Sequence, residues 1–163
     1  MGIALQKRLL TTKFESPIHE VLINVMLANT FVRMRLDEAF DETELTFPQY
    51  NLLRILNGAF PGGYARGEIS RRMIDRAPDM TRMIDRLVKR GLVERARSGE
   101  DARQAITTIT PKGRALVGKV NSRVAAVHKH VGEILSEKDA RELSRLCEKL
   151  YGFADAQGGE DTE

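Results

Sequence analysis

The stretch SGEDARQAITTITPKGRAL, residues 98–116, places a charged, glycine-containing tip beside a β-branched run and then opens a helix. Residues 105–109 (AITTI) have strand composition, and residues 92–95 (LVER) form a second strand candidate upstream. The polar residues between them are the tip of a hairpin. Gly99 lets the tip turn. Arg103 gives it a cation suited to the negative potential of a narrow minor groove. After Thr110-Pro111 a long helix begins, with its apolar stripe at Leu116, Val120, Val124, Val127, Val131 and Ile134.

Working back from the hairpin, residues 79–90 read as a helix opened by Pro78 and stopped by Gly91. Arg76 and Ala77 precede it, and neither is a good cap. Residues 67–74 read as a shorter helix carrying Ile69, Met73 and Ile74, in which Gly67 costs about 1 kcal/mol relative to Ala. Two short helices joined by a tight turn and followed by a two-stranded hairpin make a winged helix-turn-helix. Its second helix fits a major groove and its hairpin reaches a neighbouring minor groove.

Periodicity points Met80, Met83, Ile84, Leu87 and Val88 of that second helix to the core. Thr81, Arg82, Asp85, Arg86 and Lys89 share the opposite face, either as a DNA-contacting face or as an ordinary solvated one. Arg82 and Arg86 are suited to guanine edges or to phosphates. Asp79 either accepts from a cytosine amine or complements the positive end of its own helix. Arg103 is the minor-groove candidate, and Asp101 is placed to orient Arg103 or a recognition-helix arginine. Arg95 and Arg97 at the base of the wing suit phosphate contacts, or are plain surface charge. Arg66, Arg71 and Arg72 add positive charge nearby.

The flanks are helical. Pro17–Phe40 has Ser16 as N-cap and Pro17 at the first position. Its two apolar stripes (Ile18, Leu22, Val25, Val32, Leu36, Phe40 and Ile23, Leu27, Phe31, Met34) require two packing partners, one of which can be another subunit. Asn24, Asn29 and Arg33 interrupt this helix, either lining a ligand pocket or bonding between helices. Residues 46–57 form a helix with Leu52, Leu53, Ile55 and Leu56 inward, and residues 60–64 (FPGGY) a turn or loop. A last helix follows a capping box at Ser136–Asp139 and is expected to bury Leu143, Leu146, Leu150 and Phe153. The element order is α-α-α-α-β-β-α-α.

Bulk properties narrow the class. The 163 residues suit one ordinary domain, and a net charge of +3 permits a nucleic-acid partner without demanding one. Cys147 is the only cysteine, so no intramolecular disulfide can form; a buried structural thiol is expected rather than a redox sensor. A cytoplasmic location follows as the simplest expectation. The opening MGIALQKRLL has no secretory apolar region, Gln6 rules against myristoylation, and residues 21–27 are too short to span a bilayer. His19, His128 and His130 are too dispersed for a metal site. There is no HExxH, phosphate loop or GxSxG, so neither an enzyme nor a cofactor is expected.

Three motifs in order resemble the MarR family of bacterial transcriptional regulators. Residues 45–50 (LTFPQY) are similar to the family's opening of the helix before the helix-turn-helix. Residues 81–95 (TRMIDRLVKRGLVER) are similar to its recognition helix, and Asp101-Ala102-Arg103 followed by residues 109–113 (ITPKG) to its wing. The resemblance implies a mainly α fold with a small β-hairpin wing. Residues 45–110 would form the winged helix-turn-helix, residues 1–44 and 111–157 a helical dimerisation region, and residues 158–163 a flexible acidic tail. It further implies a homodimer on a pseudo-palindromic double-stranded operator, commonly a repressor released by a small phenolic or lipophilic ligand, with no membrane partner. The alternatives are a winged head that binds another protein and a regulator without ligand response.

Overall fold

The structure, a computed structural model, describes residues 2–10, 13–75, 79–97 and 105–157. The elements are α1 (Ile3–Leu9), α2 (Pro17–Phe40), a 3-10 turn (Asp41–Thr43), α3 (Phe47–Gly58), β1 (Tyr64–Ala65), α4 (Arg66–Arg72), α5 (Met80–Lys89), β2 (Val93–Arg97), β3 (Ala105–Ile109), α6 (Pro111–Ile134) and α7 (Glu137–Gln157). The chain divides within α6, after Arg123, into two compact units.

In the first unit, Ser16 Oγ accepts from His19 N at 3.1 Å and starts α2 where the sequence places it. Gln49 Oε1 accepts from Thr46 N at 3.2 Å at the start of α3. The core sits between α3, α4, α5 and the sheet. Leu52, Leu53, Leu56, Ile69, Ile84, Leu87, Leu92 and Val93 are fully buried, each aliphatic side chain stabilising the fold by roughly 1.5–3 kcal/mol. Val117 and Val120 of α6 join this core. Tyr50 Oη donates to Asn121 Oδ1 at 2.8 Å, tying α3 to α6, and burial raises the phenol's pKa.

The sheet is antiparallel with strand order β1-β3-β2. Val93 faces Ile109 and Arg97 faces Ala105 across the wing. β1 is an addition to the expected hairpin: the segment read as a loop pairs Tyr64 with Thr107 and Ala65 with Ile106. Gly63 makes this approach possible, because a Cβ there would lie 2.1 Å from the Thr107 carbonyl oxygen. α1 is a second addition, with Leu5 buried.

Several expectations are corrected. α4 ends at Arg72, so Met73 and Ile74 lie beyond it, the first buried and the second 70% exposed. The cap of α5 is Asp79, whose Oδ1 accepts from Arg82 N at 3.2 Å; α5 therefore begins at Met80, and residues 76–78 lie outside the described residues. Val88 is exposed and Met83 only half-buried, because Met80, Ile84 and Leu87 fill the inward stripe of so short a helix. Ile55 is half-buried.

In the second unit, Ser136 Oγ accepts from Asp139 N at 3.2 Å and caps α7. Leu143, Leu146 and Leu150, expected inside, are exposed in the single chain, and Cys147 is half-buried rather than buried. The side chain of Phe153 lies outside the described residues. No helix among the described residues is long and apolar enough to cross a membrane.

Candidate nucleic-acid interface

The site is assembled from three elements: α4, α5 and the base of the wing. Gly91, at φ +68°, ends α5 in the left-handed conformation that glycine adopts without steric cost. The chain then passes into β2. Thr110 closes the other end of the wing. Its N–H donates to Leu92 O at 3.1 Å, its hydroxyl donates to Gly91 O at 2.8 Å, and its Oγ1 accepts from Gly113 N at 3.0 Å. Gly113 packs so tightly here that a Cβ would lie 2.2 Å from the Leu92 carbonyl oxygen. Lys112 Nζ donates to Arg90 O at 2.8 Å, and the Arg90 guanidinium donates to Glu44 O and Thr43 O at 2.8 and 2.9 Å. These residues hold the wing and α5 at a fixed angle. Arg90, Thr110 and Gly113 are positioning residues that sequence reasoning missed; the only signal was their place in motifs read as a whole.

On the outer face of α5, Thr81, Arg82, Arg86 and Lys89 are exposed. Asp79 pairs with Arg82 at 3.0 Å while capping the helix, so its observed partners are on its own helix. Arg86 and Lys89 have no ion-pair partner among the described residues. Arg95 of β2 pairs with Asp85 of α5 at 2.7 Å, both half-exposed. The residue expected at a phosphate thus also ties the wing to the recognition helix.

Thr81, Arg95, Arg66 and Arg71 are among the residues that line an open groove of about 820 Å³. Lys89 lies elsewhere, in a depression with Arg90, Lys112 and Lys119. On α4, Glu68 accepts from both Arg71 and Arg72, the latter at 2.8 Å, and these bonds hold its carboxyl below the usual carboxylate range. Arg72 also stacks over the Tyr64 ring at 4.5 Å. Among the described residues the groove lining is therefore cationic, with Glu68 neutralised by its bonds to Arg71 and Arg72.

Arg97 belongs to β2, but its side chain lies outside the described residues, as do Asp101 and Arg103. The three interrupting residues of α2 find partners in the protein. Asn24 Nδ2 donates to Glu20 O at 3.1 Å, and Asn29 Oδ1 accepts from Arg33 Nε at 3.4 Å. Arg33 pairs with Asp75. Among the described residues no group of His, Cys, Asp and Glu could hold a metal ion.

Comparison with known proteins agrees with this geometry. The family model "MarR family" matches residues 45–105. The regulator TtmR of Methylorubrum extorquens is 36% identical over 113 residues, 68% of this chain and 57% of its own length. The crystal structure of a MarR transcription factor from Planctomyces limnophilus is 34% identical, with a TM-score of 0.64 over 83% of this chain and 98% of that one. The transcriptional repressor CouR, solved bound to a 23-mer DNA duplex, is 25% identical, with a TM-score of 0.71 over 86% and 99% of the two chains. These relatives are transcriptional regulators, not enzymes. By motif, fold and likeness alike, the chain belongs to the MarR family of transcriptional regulators.

Proposed function

We propose that this chain is a dimeric repressor that binds a pseudo-palindromic double-stranded operator in the cytoplasm and is released by a small lipophilic or phenolic ligand. The exposed Thr81-Arg82-Arg86 face of α5, set beside the wing and an arginine-rimmed groove, carries the reading. A helix of this kind enters the major groove, where arginine can take guanine O6 and N7 in a bidentate pair. Arg66, Arg71, Arg95 and Arg97 serve phosphates, Lys89 extends the cationic face, and Arg103, oriented by Asp101, enters the minor groove. CouR, solved on duplex DNA, supports the same use here.

The dimer is supported by apolar surface left uncovered in the single chain. Ile18, Leu22, Met26 and Met34 of α2 are each more than half exposed, and α7 exposes Leu143, Leu146, Leu150 and Tyr151. Surface of this kind marks an interface. Residues 1–44 and 111–157 supply it, and residues 45–110 supply the DNA-binding head. Ligand release rests on the family resemblance. Asn24, Asn29 and Arg33 are the candidates for the ligand site.

The test is selection from a random DNA pool with the purified protein. The expected product is an inverted repeat whose half-sites lie about one helical turn, roughly 10 base pairs, apart. A pool that enriches no sequence would overturn the reading and favour a head that binds protein.

A further inference from the structure

Ile74 and Asp75 form the approach to α5, and two different helices hold them. Buried Asn51 of α3 accepts from Ile74 N through Oδ1 at 2.9 Å. Asp75 is held by Arg33 of α2, whose Nη2 donates to Oδ1 at 3.0 Å and to Oδ2 at 2.8 Å. Arg33 is itself fixed, by Asn29 Oδ1 and by the face of Phe47, whose centroid lies 5.6 Å from the guanidinium carbon. One guanidinium nitrogen thus reaches both oxygens of the Asp75 carboxylate, from a plane that Asn29 and Phe47 hold.

The two anchors differ in kind. Asn51 belongs to the buried core of the head. Arg33 lies on the helix that leaves most of its apolar side chains uncovered. We propose that the Arg33–Asp75 pair is a positioning contact that ties the approach of the recognition helix to α2. The operator-affinity part of this inference rests on the proposed function; the mechanical part does not.

The pair is partly exposed, with side-chain accessibilities of 44% and 38%, so its direct effect on fold stability is small. Its effect on α5 should exceed its effect on global unfolding, and that separates positioning from simple support. The variants are Arg33→Ala, Asp75→Asn and the double substitution. The first readout is hydrogen exchange of the free protein, which needs no DNA.

Amides in the first turns of α5 should exchange about threefold faster in either single variant, with no further gain in the double, while core amides of α3 stay unchanged. The second readout is affinity for the selected operator, expected to fall about threefold per head and about tenfold for a two-headed complex. Unchanged exchange in α5, or effects that add in the double variant, would overturn the coupling. Wild-type protein that binds no DNA, with the exchange pattern intact, would instead overturn the proposed function and leave the mechanical coupling standing.

Discussion

Arg86→Ala tests the recognition face most sharply. Arg86 is exposed on α5 with no ion-pair partner among the described residues, whereas Arg82 is engaged with Asp79 and Arg95 with Asp85. Removing it should leave the fold unchanged within about 0.5 kcal/mol, the usual range for exposed substitutions. The effect on binding depends on what Arg86 touches, and the two cases separate by arithmetic. If Arg86 grips a phosphate in each of two heads, its removal lowers the salt slope by about 1.8, at roughly 0.9 per phosphate, and weakens all DNA sequences alike. A bidentate base pairing by arginine is worth about 1–3 kcal/mol per half-site. Two of them would cost about 2–6 kcal/mol on the operator and leave scrambled DNA nearly unaffected. Fluorescence anisotropy on both DNAs over a salt series reads the two patterns directly. Wild-type affinity and slope on both DNAs would refute the assignment of the α5 outer face to DNA.

Other consequences follow from the same geometry. Gly113→Ala should destabilise the protein by about 1–3 kcal/mol in urea unfolding, because the new methyl group meets the Leu92 carbonyl. Glu68→Gln should lower the melting temperature at neutral pH. The Glu68 pKa is depressed by Arg71 and Arg72, so its contribution is present above the unfolded pKa and lost as pH falls through the folded one. The gap between wild type and Glu68→Gln should therefore narrow in acid, and a gap constant with pH would contradict the pairing. Leu143→Asp places a charge on the exposed stripe of α7 and should shift the sedimenting species from two chains to one without loss of helix content.

Much of the fold was legible because its signals are local. Ser16-Pro17 marks the start of α2, Gly91 marks the end of α5, and the β-branched run 105–109 matches β3. What escaped was either too short for periodicity or decided by distant residues. β1 has two residues and exists only because Gly63 lets it approach Thr107. Asp79 was seen as a helix residue with a favourable charge; its capping bond moves the helix start to Met80. Arg33 read as a break in an apolar stripe, because its partner Asp75 lies 42 residues away. The leucines of α7 show the reverse case. Their stripe marks one apolar face of the helix, but an apolar stripe does not say what covers it, and Leu143, Leu146 and Leu150 are exposed.

The most direct test of sequence-specific binding is anisotropy of the wild-type protein on the selected duplex and on a scrambled duplex, titrated at several salt concentrations. Binding by two chains should favour the selected sequence by about 10³-fold or more, with an affinity falling steeply as salt rises. Equal affinity for the two duplexes at every salt concentration would contradict sequence-specific recognition by α5 and the wing.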